Sequence, residues 1–334
     1  MRKSARENGI LPSINQYRSE IMGFAALWIL LYHEWQLVSV EWSAAYYAER
    51  FVKDIGFIGV DMFLLLSGMG SSYAIEKYPL GVFYQRRFKR LILPTVTAAV
   101  LRLFVSRWNM RWFIKCLVGY NFLTGSTTAF LWYIYAAALF YLLFPLYWHY
   151  FKKSGNKIAF FLSCLAAWYL LFGVLMKNVF SDTSWLVINR VPVFLLGVLF
   201  GWKEREGKAA KPGAWLAVSV PTLIAGLAAE YYCSVYGAKL IMPMPTVFLP
   251  ALAVGVSLVI LLAALFAVIG KNSRFLRFFG SISLELYCLQ EVMGDWLLPR
   301  LSAHLPAPAV NALFAPIVIA SAFFLHKASE KIRE

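Results

Sequence analysis

Charge is scarce in this chain. Only 15% of its 334 residues are Asp, Glu, Lys or Arg, where a soluble domain carries about 25%. That shortage excludes disorder and a charged coiled coil, because both need many solvated side chains. Cysteines number four: Cys116, Cys164, Cys233 and Cys288. No two form a C-x-x-C pair, so neither a disulfide framework nor a zinc site is expected. Gly numbers 21 and Pro 14, without the period that collagen requires. What is plentiful is apolar surface. Hydrophobic residues make up 60% of the chain and mean hydropathy is +0.64. One soluble core cannot hide that excess, so the sequence predicts an all-α integral membrane protein with short loops.

Ten runs are long enough to be spans: about 19–38, 55–76, 91–107, 129–150, 158–175, 185–201, 213–230, 245–269, 280–298 and 309–326. A helix needs roughly 20 apolar residues to cross a bilayer. A strand barrel is not expected, because the runs do not alternate. No cleavable leader is expected either. The first apolar run starts near Ile21 behind a basic segment and outlasts a signal core, so it reads as the first span.

The net charge is +15, with Lys and Arg totalling 32 against 17 acidic residues. If the N-terminus is cytoplasmic, 22 of the 32 fall in inside segments and 8 outside, with Arg102 and Arg190 within spans. This is the asymmetry of the positive-inside rule. It predicts both termini in the cytoplasm and a multi-pass protein of the cell membrane. The basic residues therefore face membrane lipids, and no nucleic-acid partner is expected. Residues 108–124 mix Trp108, Trp112 and Phe113 with Arg111 and Lys115, which suits an amphipathic helix in the outer interface.

Polar groups at membrane depth mark function by default. His33 lies about 20 Å along the helix from Glu20, near the outer face. It is either an interfacial histidine beside Glu34 and Trp35 or a general base, the imidazole being the side chain suited to take a proton near neutral pH. Asp61 enters the second span at matching depth. It either orients the imidazole or caps free N–H groups at its own helix start. Arg86, Arg87, Lys89 and Arg90 form a cationic run between the second and third spans. The run suits phosphate groups or lipid heads. Arg190 opens the sixth span. Ser283, Glu285, Tyr287 and Gln290 lie in the ninth, where Glu285 needs a partner and Arg190 is the candidate by charge.

From about residue 15 to 326 these pieces resemble the acyltransferase 3 family, the membrane O-acyltransferases of bacterial surface sugars. The carriers are Gly23 to His33, then Gly59-Val60-Asp61-Met62-Phe63 through Ser67-Gly68, then Arg86-Arg87 with Arg90 and Pro94. Leu131-Trp132-Tyr133, Arg190-Val191-Pro192-Val193-Phe194 with Gly197, and Ser283 with Tyr287 follow. The resemblance implies a membrane domain over 19–326 between a basic N-terminus (1–18) and a short tail (327–334). It implies transfer of an acyl group, often acetyl, from cytoplasmic acyl-CoA to a hydroxyl of a glycan or lipid-linked sugar, with no metal. Glycan-assembly enzymes are the implied neighbours. His33 would deprotonate the acceptor or relay the acyl group, and Arg86, Arg87 and Arg90 would hold CoA phosphates. Two positions depart from the family pattern. Met22 stands where an Arg is usual eleven residues before the His, and Gln290 stands where a His is frequent. Arg18, one turn before Met22, falls about 60° from His33 around the helix and is the expected substitute. The departures point to a divergent subfamily or a reduced activity. A transporter or flippase of a lipid-linked sugar, or a scaffold that has lost catalysis, would use the same basic loop and buried charges.

Overall fold

The computed structural model describes residues 9–34, 43–105, 110–120, 130–176, 179–180, 182–207, 212–236 and 249–333. Among them the chain is helical, with no strand. The helices are α1 (Ile10–Gln16), α2 (Arg18–His33), α3 (Ala44–Asp54), α4 (Ile58–Lys77), α5 (Leu80–Val105) and α6 (Met110–Leu117). Then come α7 (Trp132–Lys153), α8 (Lys157–Trp168), which continues as a π-helix over Tyr169–Leu175, α9 (Asp182–Ile188) and α10 (Val191–Arg205). The last five are α11 (Pro212–Tyr236), α12 (Leu249–Ile269), α13 (Arg274–Ser281), α14 (Ser283–Ser302) and α15 (Ala307–Arg333).

Seven helical stretches among the described residues are long and apolar enough to cross a membrane. They are Ala44–Lys77, Trp132–Lys153, Lys157–Leu175, Ser184–Arg205, Pro212–Tyr236, Leu249–Ile269 and Ala307–Ile332. The other three expected spans correspond to α2, α5 and α14. Helix α2 has 16 described residues, and positions 35–38 of its expected span lie outside the described residues. Helices α5 and α14 carry Arg86, Arg87, Lys89, Arg90 and Arg102, and Glu285, Glu291, Asp295 and Arg300. The helices that fall short of an apolar span are the ones that carry the candidate site.

Helix α4 is central, and every residue from Ile58 to Ser72 is buried. Its closest neighbour is α10. Gly197 makes that approach possible, since a Cβ there would lie 2.0 Å from the carbonyl oxygen of Leu65. Glycines four apart, here Gly197 and Gly201, let membrane helices pack backbone to backbone. Helices α7, α11, α12 and α15 expose Leu142, Leu146, Val218, Ile224, Val268 and Phe324. These outward apolar faces suit lipid contact.

Two expectations change at this level. The cationic run does not lie in a loop. Helix α5 begins at Leu80, so Arg86, Arg87 and Arg90 sit on its first turns, spaced for one helical side. The sixth expected span is broken at Asn189 and Arg190, between α9 and α10. Pro192 near the start of α10 enforces the restart. Of the interfacial segment expected over 108–124, Met110–Leu117 is helical, while 108–109 and 121–124 lie outside the described residues.

Candidate functional site

Helix α2 holds Arg18 at one end and His33 at the other, about 22 Å apart at 1.5 Å per residue. A cavity opens at each end, and α14 runs beside α2 past both. At about 100° per residue, Ser283, Tyr287, Gln290 and Gly294 form one stripe along α14. Ser283 meets the first cavity, and Gln290 and Gly294 meet the second.

The cavity at the Arg18 end has a volume of about 260 Å³. Arg18, Arg86, Arg87 and Arg90 line it with Tyr141 and Ser283, and no carboxylate lies among the lining residues described. Four guanidinium groups sharing one pocket without a counter-charge repel one another, and an anion relieves that repulsion. Aromatic rings hold the guanidinium groups in place. Arg87 lies 5.0 Å from the ring centre of Tyr141 and 5.6 Å from that of Phe83. Arg86 stacks 4.1 Å over Tyr78 and donates to its hydroxyl at 3.0 Å. Ser67 and Tyr141 share a hydroxyl hydrogen bond of 2.7 Å on the wall. Gly70 makes room for Arg18, since a Cβ there would lie 2.2 Å from Arg18 Nη1.

The cavity at the His33 end, about 240 Å³, is lined by His33, Gln290, Glu291, Gly294, Asp295, Leu298 and Pro299. Asp295 pairs with Arg102 of α5. Tyr287 lies between the two cavities on the α14 stripe. Its hydroxyl accepts from the backbone N–H of Tyr133 at 3.3 Å, and the two rings sit 5.1 Å apart. Tyr133 and Phe63 line the cationic cavity.

The remaining polar residues pair differently from the sequence expectation. Asp61 does not orient His33. Its carboxylate pairs with Arg190 Nη2 at 3.4 Å, with both side chains buried. Arg190 in turn lies 4.4 Å over the ring of Trp132 and donates to the Leu186 carbonyl at 2.9 Å. It is therefore not the partner of Glu285, which meets His326 Nδ1 at 3.1 Å. That gives His326 the partner its sequence position did not suggest, and His326 also reaches Glu330 at 3.3 Å. Arg18 lies with the α5 arginines at the far end of α2 from His33, on the same broad side of the helix but at a different depth.

A family model described as an acyltransferase domain matches residues 22–326. The chain belongs to the acyltransferase 3 family. It is therefore a membrane acyltransferase. No curated protein and no solved structure matches it.

Sequence reasoning missed Glu291 and Asp295, though both stand inside the ninth apolar run, where a charge has to be accounted for. It also missed Glu230 at the end of the seventh run, now 1% exposed on α11. Tyr133 stood in the sequence only as part of the Leu131-Trp132-Tyr133 stretch of the resemblance, and Tyr141 carried no signal beyond being aromatic in an aromatic-rich chain. Among the described residues no group of three or more His, Cys, Asp or Glu side chains is arranged to hold a metal ion.

Proposed function

We propose that this acyltransferase moves an acyl group, acetyl first among the candidates, from cytoplasmic acyl-CoA to a hydroxyl of a sugar presented at the outer membrane face. The observation that carries this reading is the pairing of a four-arginine cavity and a histidine cavity at opposite ends of α2 and α14. CoA phosphates suit Arg18, Arg86, Arg87 and Arg90, which supply forked donors for bidentate contact. The acyl thioester then extends past Tyr133 and Tyr287 towards His33. The His33 imidazole takes the proton of the acceptor hydroxyl, whose oxygen attacks the thioester carbon. The carbon–sulfur bond breaks and CoA leaves as the thiolate, which recovers a proton from the imidazolium or from water. The paired rings of Tyr133 and Tyr287 shield the thioester from water in this reading.

The same reading places the Arg18 end in the cytoplasm and His33 at the outer face. It takes α2, α5 and α14 as spans, giving ten in the cell membrane with both termini inside. In the three polar helices Glu20 and Glu285 are buried and Arg102 is paired with Asp295, which lowers the cost of holding those charges at membrane depth.

The test is a proteoliposome assay with acetyl-CoA on the Arg18 side and a glycan extract on the other. Transfer that depends on His33, with His33→Ala inserted normally, supports the proposal. Glycan movement without consumption of acetyl-CoA would favour a flippase, and near-normal transfer by His33→Ala would remove the catalytic role of the histidine.

A further inference from the structure

The His33 cavity differs from the donor cavity in charge. Glu291 and Asp295, four apart on α14, meet there with His33. Among the described residues that line it there is no Lys or Arg, and residues 35–42, which follow His33 in the chain, contain none. Arg102 of α5 is held by Asp295. Gln290 adds an independent sign of a ligand. Its side chain lines the cavity, the residue is 1% exposed, and neither Nε2 nor Oε1 has a hydrogen-bond partner among the described residues. A buried amide with both ends unpaired is costly unless something bound there supplies a donor and an acceptor. Adjacent hydroxyls of a sugar supply both, since each hydroxyl donates one hydrogen and accepts through its lone pairs.

We infer that this cavity binds a hydroxyl-rich acceptor carrying no negative charge, a neutral or amino sugar unit, with Gln290 fixing the hydroxyl that faces His33 and Glu291 and Asp295 accepting from its neighbours. The inference rests on the acyl-transfer reading above and deepens it by naming the acceptor class. The carboxylates accept hydrogen bonds from hydroxyl or ammonium groups. They repel a uronate or a phosphorylated sugar, and no Lys or Arg among the described lining residues offsets that repulsion.

The experiment uses the full-length protein in nanodiscs with three probes, methyl glucoside, methyl glucosaminide and methyl glucuronide. Binding is followed by saturation-transfer NMR without donor, and acetyl transfer is measured in parallel with acetyl-CoA. The glucoside and glucosaminide should bind, the glucuronide should not, and Gln290→Met should weaken glucoside binding about tenfold. Glu291→Gln with Asp295→Asn should admit the glucuronide. The probe panel on the unaltered protein needs no variant to fold, and a monodisperse elution profile qualifies each variant. Binding of none of the three probes, glucuronide binding equal to that of the glucoside, or unchanged binding by a folded Gln290→Met would each overturn the inference. If binding follows the expected order while no probe is acetylated, the acyl-transfer reading fails and the sugar site stands. If the glucuronide is acetylated as well as the glucoside, the acceptor assignment fails and acyl transfer stands.

Discussion

Replacing Arg190 by Met tests the buried ion pair and, with it, the corrected role of Asp61. The two side chains are 1% and 3% exposed, with Nη2 and Oδ2 3.4 Å apart. Removing the cation leaves the Asp61 carboxylate buried without its counter-charge. Breaking one partner of a buried pair costs about 3–5 kcal/mol, whereas replacing both with apolar groups of similar volume is often neutral. The loss of the Trp132 stack and the Leu186 carbonyl bond adds about 1–2 kcal/mol that the double replacement does not recover. Arg190→Met should therefore lower the unfolding midpoint of the detergent-purified protein well below that of the unaltered chain. Asp61→Leu should do the same by stranding Arg190, and the double variant should be more stable than either single one. The assay is thermal unfolding at fixed detergent and protein concentration, read as a double-mutant cycle. If the two losses simply add, the pair is not the energetic unit described. If Asp61→Leu is stable and only catalysis falls, the carboxylate serves His33 after all.

Three further outcomes follow from the packing and the cavities. Gly70→Ala drives a methyl into Arg18 Nη1, and because the guanidinium is the free end of a long side chain the fold should survive while the KM for acyl-CoA rises severalfold in steady-state kinetics. Gly197→Ala meets the Leu65 backbone oxygen, which has nowhere to move, so membrane expression or the unfolding midpoint should fall sharply. Arg87→Lys should only partly restore the donor affinity lost in Arg87→Gln, because a point charge lacks the planar fork. Equal KM values for Lys and Gln would show that the geometry of the guanidinium is unimportant there.

Much of the fold was legible because lipid imposes a simple rule. Uninterrupted apolar runs of the right length predicted helices, and seven such helices are present. The sequence was hardest to read where polarity interrupts the runs, in α2, α5 and α14, since hydropathy alone does not separate a functional polar stripe from a loop. For that reason Arg86 to Arg90 read as a loop although they lie on α5. The residue types of the site were visible as costly side chains at membrane depth. Their pairing was not, because it depends on which helices neighbour each other. Asp61 and Arg190 meet through the glycine-lined approach of α4 and α10, and Glu285 meets His326 because α15 packs on α14. The α14 stripe from Ser283 to Gly294 was implicit in helical spacing. Its meaning appeared only once α2 was seen to run beside it.

The central claim is that donor and catalytic base occupy opposite ends of α2. The measurement that tests it most directly is the steady-state kinetics of acyl transfer for Arg87→Gln and His33→Ala at matched membrane expression. Arg87→Gln should raise the KM for acyl-CoA about tenfold, the loss of about 1.4 kcal/mol of binding, with kcat little changed. His33→Ala should lower kcat by about 10²–10⁴-fold, the contribution of a positioned general base, with donor KM little changed. A common fall in both parameters for both variants, or near-normal kcat without His33, would contradict the account.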